Sequence, residues 1–102
     1  EMIWPASVER ALSGLSWVDE AAVVGNPDEE WGEVVTAFVV PANKETPISL
    51  EQTREALSEA LPRFALPRAL HIVNALPKTT SGKVAKKRLL SGPEFDNSIS
   101  GD

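Results

Sequence analysis

Apolar residues recur at Val8, Ala11, Leu12 and Leu15, the spacing of one helix face, and Pro5 suits a first helical turn. This pattern predicts a helix over 5–13, broken by Gly14. From Trp17 to Gly25 the chain reads as a strand, ended by the turn-rich Gly25-Asn26-Pro27-Asp28. Val34 to Val40 is a nearly continuous apolar run stopped by Pro41, as expected of a central strand buried on both faces. An antiparallel pair is the economical pairing of these two strands. Ser49-Leu50-Glu51-Gln52 has the form of a capping box, so a second helix starts there, with Leu50, Leu57, Ala60 and Leu61 as its buried stripe and Pro62 as its stop. Ala69–Val73 is a short third strand. A proline-marked loop then runs to Gly82, and a last short helix is expected from about Lys83 to Leu90, with Val84 and Leu89 as apolar contacts. The order gives an α+β fold: a small, mainly antiparallel three-stranded sheet packed with about three helices.

The length of 102 residues allows one domain and is small for a complete enzyme. No apolar run approaches the roughly 20 residues that span a bilayer, and the opening residues lack the basic start and cleavage pattern of a signal peptide. With no cysteine there is no disulfide framework, and one histidine cannot make a multi-histidine metal cluster. These features lead to an expectation of a cytoplasmic protein without a metal site of its own.

Charge sharpens the picture. The net charge is −5, yet residues 63–92 hold seven Lys or Arg and no acid, against three bases and twelve acids in residues 1–62. A local basic block on an acidic chain points to an anionic partner for that block and away from general nucleic-acid binding. Within it lies Leu76-Pro77-Lys78-Thr79-Thr80-Ser81-Gly82-Lys83-Val84. This is a proline-stiffened loop whose small residues project Lys83 toward an expected helix start, and whose hydroxyls and lysines suit an anion. It is not a phosphate-binding P-loop, because Pro77 stands at the first glycine and Val84 at the hydroxyl position of that motif.

Pro77-Lys78-Thr79-Thr80-Ser81-Gly82-Lys83 resembles the final core motif of the adenylate-forming superfamily, which includes acyl-CoA synthetases, luciferases and nonribosomal peptide adenylation domains. Ile3-Trp4-Pro5-Ala6-Ser7-Val8-Glu9 is similar to the segment after that family's inter-domain hinge. Gly25-Asn26-Pro27-Asp28, Trp31-Gly32-Glu33 and Ala37-Phe38-Val39-Val40 resemble further family pieces in the same order, and Phe64-Ala65-Leu66-Pro67 stands where Tyr-Lys-x-Pro is common. The resemblance covers roughly residues 2–90. Ser7, Ala65 and Lys86 depart from the residues usual at their positions.

The resemblance implies that residues 1–91 are the mobile C-terminal lid of an acyl-CoA ligase and 92–102 a disordered tail. The ATP- and acyl-binding N-terminal domain would then lie outside this chain, and the fragment alone would be inactive. In the parent enzyme ATP and CoA are substrates with Mg2+, Lys83 contacts the acyl carboxylate and α-phosphate as acyl-AMP forms, and the lid then rotates for thioester formation. The same likeness places Thr79, Thr80, Ser81 and Gly82 in the substrate and nucleotide loop and makes a protein acetyltransferase acting on Lys83 a regulatory partner. Because Ala65 and Lys86 depart from the family's residues, any CoA-phosphate contact in the basic stretch falls on other residues, with Arg63 and Arg68 as the candidates. The acid, whether fatty, aryl or o-succinylbenzoate, stays open.

Two other functions are weighed beside it: the lid of a carrier-loading peptide synthetase adenylation domain, and a non-catalytic module binding phosphate or nucleic acid. Simpler roles also apply to single residues. Lys78, Lys86, Lys87 and Arg88 read as a solvated basic face. Thr79, Thr80, Ser81 and Gly82 read as shaping the loop more than bonding substrate. His71 reads as structural. Trp4, Trp17, Trp31, Phe38 and Phe64 read as core or domain-interface packing. Asp28, Glu29, Glu30 and Glu33 read as a charged loop rather than a metal cluster.

Overall fold

A computed structural model describes residues 5–28 and 32–91. Helix α1 spans Pro5–Ser13, strands β1 and β2 span Val18–Asp28 and Gly32–Pro41, and helix α2 spans Leu50–Leu57. A short 3-10 turn at Arg63–Ala65 leads into β3, Ala69–Ile72, and the last helix α3 is Lys86–Ser91. The sheet order is β1-β2-β3; β1 and β2 run antiparallel, while β3 runs parallel to β2 and pairs Ala69 to Ile72 with Thr36 to Val39. The expected α+β fold with a mostly antiparallel sheet is the one observed.

Residues 35–40 of β2 are all buried because this strand is central and covered on both faces. Val35, Ala37 and Val39 point into a layer with Val8 and Leu12 of α1 and Leu57 of α2, whereas Phe38 and Val40 point into a second layer with Leu76 and Leu89. The sheet therefore separates α1 and α2 from the loop around Leu76 and α3. In β1, Val23 faces the first layer and Ala22 and Val24 the second. Val18 packs with Val23 although strand alternation would place it opposite; a register shift between Val18 and Glu20 reverses the parity.

Three boundaries differ from the sequence expectation. Strand β1 runs on through the turn-rich Gly25-Asn26-Pro27-Asp28, which stay paired with β2 from Val35 to Gly32, and the end of α2 and the start of α3 both shift. Helix α2 begins as expected, with the Ser49 hydroxyl accepting from Gln52 N at 3.0 Å. It ends at Leu57 instead of running to Pro62. There the Ser58 N–H and hydroxyl both turn back to the Glu55 carbonyl, and Ala60 N donates to Leu57 O, so the chain leaves the helix through i to i+3 bonds. Ala60 is consequently exposed, and buried Thr53 takes a place on the inner face, its hydroxyl donating to Ser49 O at 2.8 Å. The final helix starts at Lys86, not near Lys83. The segment Lys83–Ala85 is held in extended pairing with the strand of chain before the loop, which denies it a helical start. Trp4, Trp31 and the tail from residue 92 lie outside the described residues. Among the described residues no helix is long and apolar enough to cross a membrane.

Candidate functional site

The lysine loop is a small hairpin whose bonds are largely internal. Buried Leu76 roots it in the second layer, and Pro77 O accepts from Ala85 N at 2.8 Å. Lys78 pairs antiparallel with Val84, and Thr79 N donates to Lys83 O at 2.7 Å. Gly82 N returns to Thr79 O at 2.9 Å, closing a tight turn over Thr80 and Ser81. That turn needs Gly82 at φ 90°, in the left-handed region where a side chain is strained, and this explains the glycine before the lysine. The Thr79 hydroxyl lies 3.0 Å from Ser81 Oγ and accepts from Lys83 N at 3.3 Å, so it is engaged in shaping the loop.

Lys83 sits exposed on this braced turn. It stands three residues before α3, so the helix N-terminus expected beneath it is not there. Among the described residues no ion pair involves its ammonium, whereas both neighbouring lysines are committed. Lys78 Nζ lies 3.3 Å from Glu20 Oε1, and Lys86 Nζ lies 2.7 Å from Glu9 Oε2. Both side chains remain 41% exposed, so the reading of a solvated basic face stands for them, with a carboxylate partner added to each. Lys87 and Arg88 are exposed on α3.

Arg63 and Arg68, expected at CoA phosphates, flank the 3-10 turn and the start of β3 and are exposed. Arg68 N donates to Val35 O at 2.8 Å, which fixes that corner to β2, and Arg54 Nη1 donates to Pro67 O at 2.7 Å. They lie beside the β3 edge of the sheet, while the ion pairs of the lysine loop run to the β1 side. Phe64 is 51% exposed, so core packing describes Phe38 and partly buried Trp17 but not Phe64.

His71 lies beneath the lysine loop's layer, 4% exposed and stacked on Phe38 with ring centroids 4.7 Å apart. Burial pushes its pKa below the ordinary 6.5 by penalising the charged form. It is a neutral packing group at neutral pH, as its structural reading expected. Among the described residues no group of His, Asp or Glu could hold a metal ion.

Glu9 and Glu20 are the site residues that the sequence did not single out as partners. Glu9 appeared only within the hinge-like segment, and nothing in its spacing ties it to Lys86, far along the chain.

Comparison with known proteins gives the family. The AMP-binding enzyme C-terminal domain model matches residues 7–83. A 2-succinylbenzoate–CoA ligase of Enterococcus faecalis is 35% identical over 91 residues, covering 89% of this chain and 18% of that protein. A long-chain-fatty-acid–CoA ligase of Mycobacterium tuberculosis is 37% identical over 86 residues, covering 84% and 17%. Among solved structures, the o-succinylbenzoate CoA synthetase of Bacillus subtilis bound to a product analogue superposes with a TM-score of 0.81 at 30% identity, over 90% of this chain and 18% of that one. The amide bond synthetase McbA of Marinactinospora thermotolerans gives 0.80 at 34%, over 85% and 17%. The chain thus spans less than a fifth of the length of these relatives. A matched stretch that includes both the buried sheet and the braced lysine turn makes this chain a member of the AMP-binding enzyme C-terminal domain family.

Proposed function

We propose that this chain is the lid of an ATP-dependent acyl-CoA ligase, and that Lys83 is the cation that serves acyl-adenylate formation. The observation that carries the reading is the contrast among three lysines. Lys78 and Lys86 are held by carboxylates, while Lys83 stands exposed on a rigid turn with no ion pair among the described residues. An ammonium so placed is available to an external anion. In the first half-reaction a carboxylate oxygen of the acid attacks the α-phosphorus of ATP and pyrophosphate leaves. The negative charge spread over the acyl carboxylate and α-phosphoryl oxygens is what a compact lysine cation stabilises in a site closed to water.

ATP, its Mg2+ and the acid would be held mainly by the N-terminal domain of the same enzyme, the lid's principal partner. Rotation of the lid would then withdraw Lys83 and open the way for CoA, with Arg63 and Arg68 as contacts for its phosphates. Thr80 and Ser81 at the turn would border the nucleotide. Acetylation of Lys83 by a protein acetyltransferase would remove the cation and silence adenylation. Membership of the family favours this reading over a non-catalytic binding module. The relatives named for CoA ligation favour it over a peptide synthetase lid.

The test is Lys83→Ala in the ligase that carries this chain. Pyrophosphate exchange should fall by about two to three orders of magnitude, the range over which removal of one charge-stabilising group acts. CoA consumption from supplied acyl-AMP should stay close to wild type. Equal survival of both activities would dismiss Lys83 as the adenylation lysine.

A further inference from the structure

The bonds inside the lysine turn fix its shape but not its placement. The backbone bonds Ala85 N to Pro77 O, Thr79 N to Lys83 O and Gly82 N to Thr79 O all join two residues of the hairpin itself. The one from Arg88 N to Ala85 O ties it only to the following helix α3, not to the sheet. What locates the hairpin on the sheet is the packing of Leu76, Val84 and Leu89 and the two ion pairs to β1 and α1. Apolar packing is non-directional, whereas a charge-assisted hydrogen bond fixes direction as well as distance.

The two ion pairs are not equivalent. Lys78 and Glu20 meet at 3.3 Å with 41% and 43% of their side chains exposed, the weak arrangement of a surface pair. Glu9 is only 25% exposed, and its Oε2 accepts two short bonds, 2.7 Å from Lys86 Nζ and 2.8 Å from the backbone N–H of Val23. Its own base is rigid, because Val8 and Leu12 on either side of it in α1 are 1% and 0% exposed. Glu9 lies on the helix of one sheet face and Lys86 begins the helix of the other. The carboxylate therefore reaches around the edge of β1 to Lys86, which lies three residues from Lys83 in sequence, and ties the two faces together.

We propose that Glu9 is a positioning residue for the adenylation step: through Lys86 it sets where the Lys83 ammonium stands relative to the sheet. The proposal rests on the reading of Lys83 given above. A small misplacement of a charge-stabilising group is costly to rate even when the group is intact.

The test uses the ligase carrying this chain and three substitutions. Glu9→Gln retains an oxygen for Val23 N–H but removes the charge, Lys86→Met removes the cation, and Lys86→Arg retains the pair. Glu9→Gln and Lys86→Met should each lower the turnover of pyrophosphate exchange about 5- to 30-fold, with KM for ATP little changed, an effect of placement and not of binding. The double variant should be no worse than either single one, since both break the same link. Lys86→Arg should stay within about two-fold of wild type, and CoA consumption from supplied acyl-AMP should be preserved in all. Parallel loss of both half-reactions, in proportion to a fall in Tm, would make Glu9 a structural residue only and overturn the proposal. Unchanged exchange in Glu9→Gln, with exchange abolished in Lys83→Ala, would overturn it while leaving the role of Lys83 standing. An unaffected Lys83→Ala would remove the reading beneath it. Should Glu9→Gln fail to fold, the contrast between Lys86→Met and Lys86→Arg decides by the same measurements.

Discussion

Gly82→Ala separates backbone strain from steric crowding at the lysine turn. A Cβ built at Gly82 meets nothing within 4 Å, so the substitution displaces no neighbour. The cost comes from φ 90°, which an L side chain adopts at an expense of about 1–2 kcal/mol. The turn is exposed and its bonds are internal, so the strain is relieved by local opening rather than by global unfolding. If the closed turn is the form that presents Lys83, its share of the population falls, and pyrophosphate exchange by the ligase should drop about 5- to 30-fold, the rate equivalent of that energy. Tm should move little, and thioester formation from supplied acyl-AMP should persist. Gly82→Asn should lie between glycine and alanine, because asparagine tolerates the left-handed region better. Exchange at the wild-type rate in Gly82→Ala would refute the link between this turn and adenylation. An asparagine variant as slow as alanine would refute the left-handed backbone as its cause.

Two further predictions concern stability. Leu57→Ala removes a side chain 1% exposed at the contact of α2 with the sheet and should cost about 2–5 kcal/mol, read as an earlier urea midpoint by circular dichroism. For His71 the folded state binds its proton less tightly than the unfolded chain, because burial lowers its pKa. The neutral form therefore lends full stability above the unfolded value near 6.5, and this is lost as pH falls below it toward the lowered folded value. Urea midpoints between pH 7.5 and 5.5 should decline in the wild type, and His71→Phe should remove that component of the slope.

Local signals were legible where local physics decides. The apolar spacing of Val8, Ala11 and Leu12 and the proline start gave α1 its observed span, and the Ser49 cap placed the start of α2. The two-sided burial of β2 was readable because a strand covered on both faces leaves no polar alternation. The helix expected at Lys83 failed because the antiparallel pairing of Lys78 with Val84 competes for the same residues, and that pairing depends on Gly82 closing the turn. The parallel entry of β3 was equally hidden, since a four-residue strand carries no mark of its direction. Motif order singled out the lysine loop as the candidate site. Its attachment through Glu9 and Glu20 could not be read, because charge spacing reports neighbours on one helix and not contacts across a sheet edge.

The bond from Val23 N to Glu9 also bears on how the protein behaves in a crowded solution. β1 is an outer strand, and a row of unsatisfied amides along such a strand is a template onto which another chain can add. A carboxylate laid across the middle of that row takes one of its donors and sets a negative charge, with an attached lysine, where an incoming backbone would have to lie. The side chain that joins two faces of one molecule thereby also guards against strand addition between molecules.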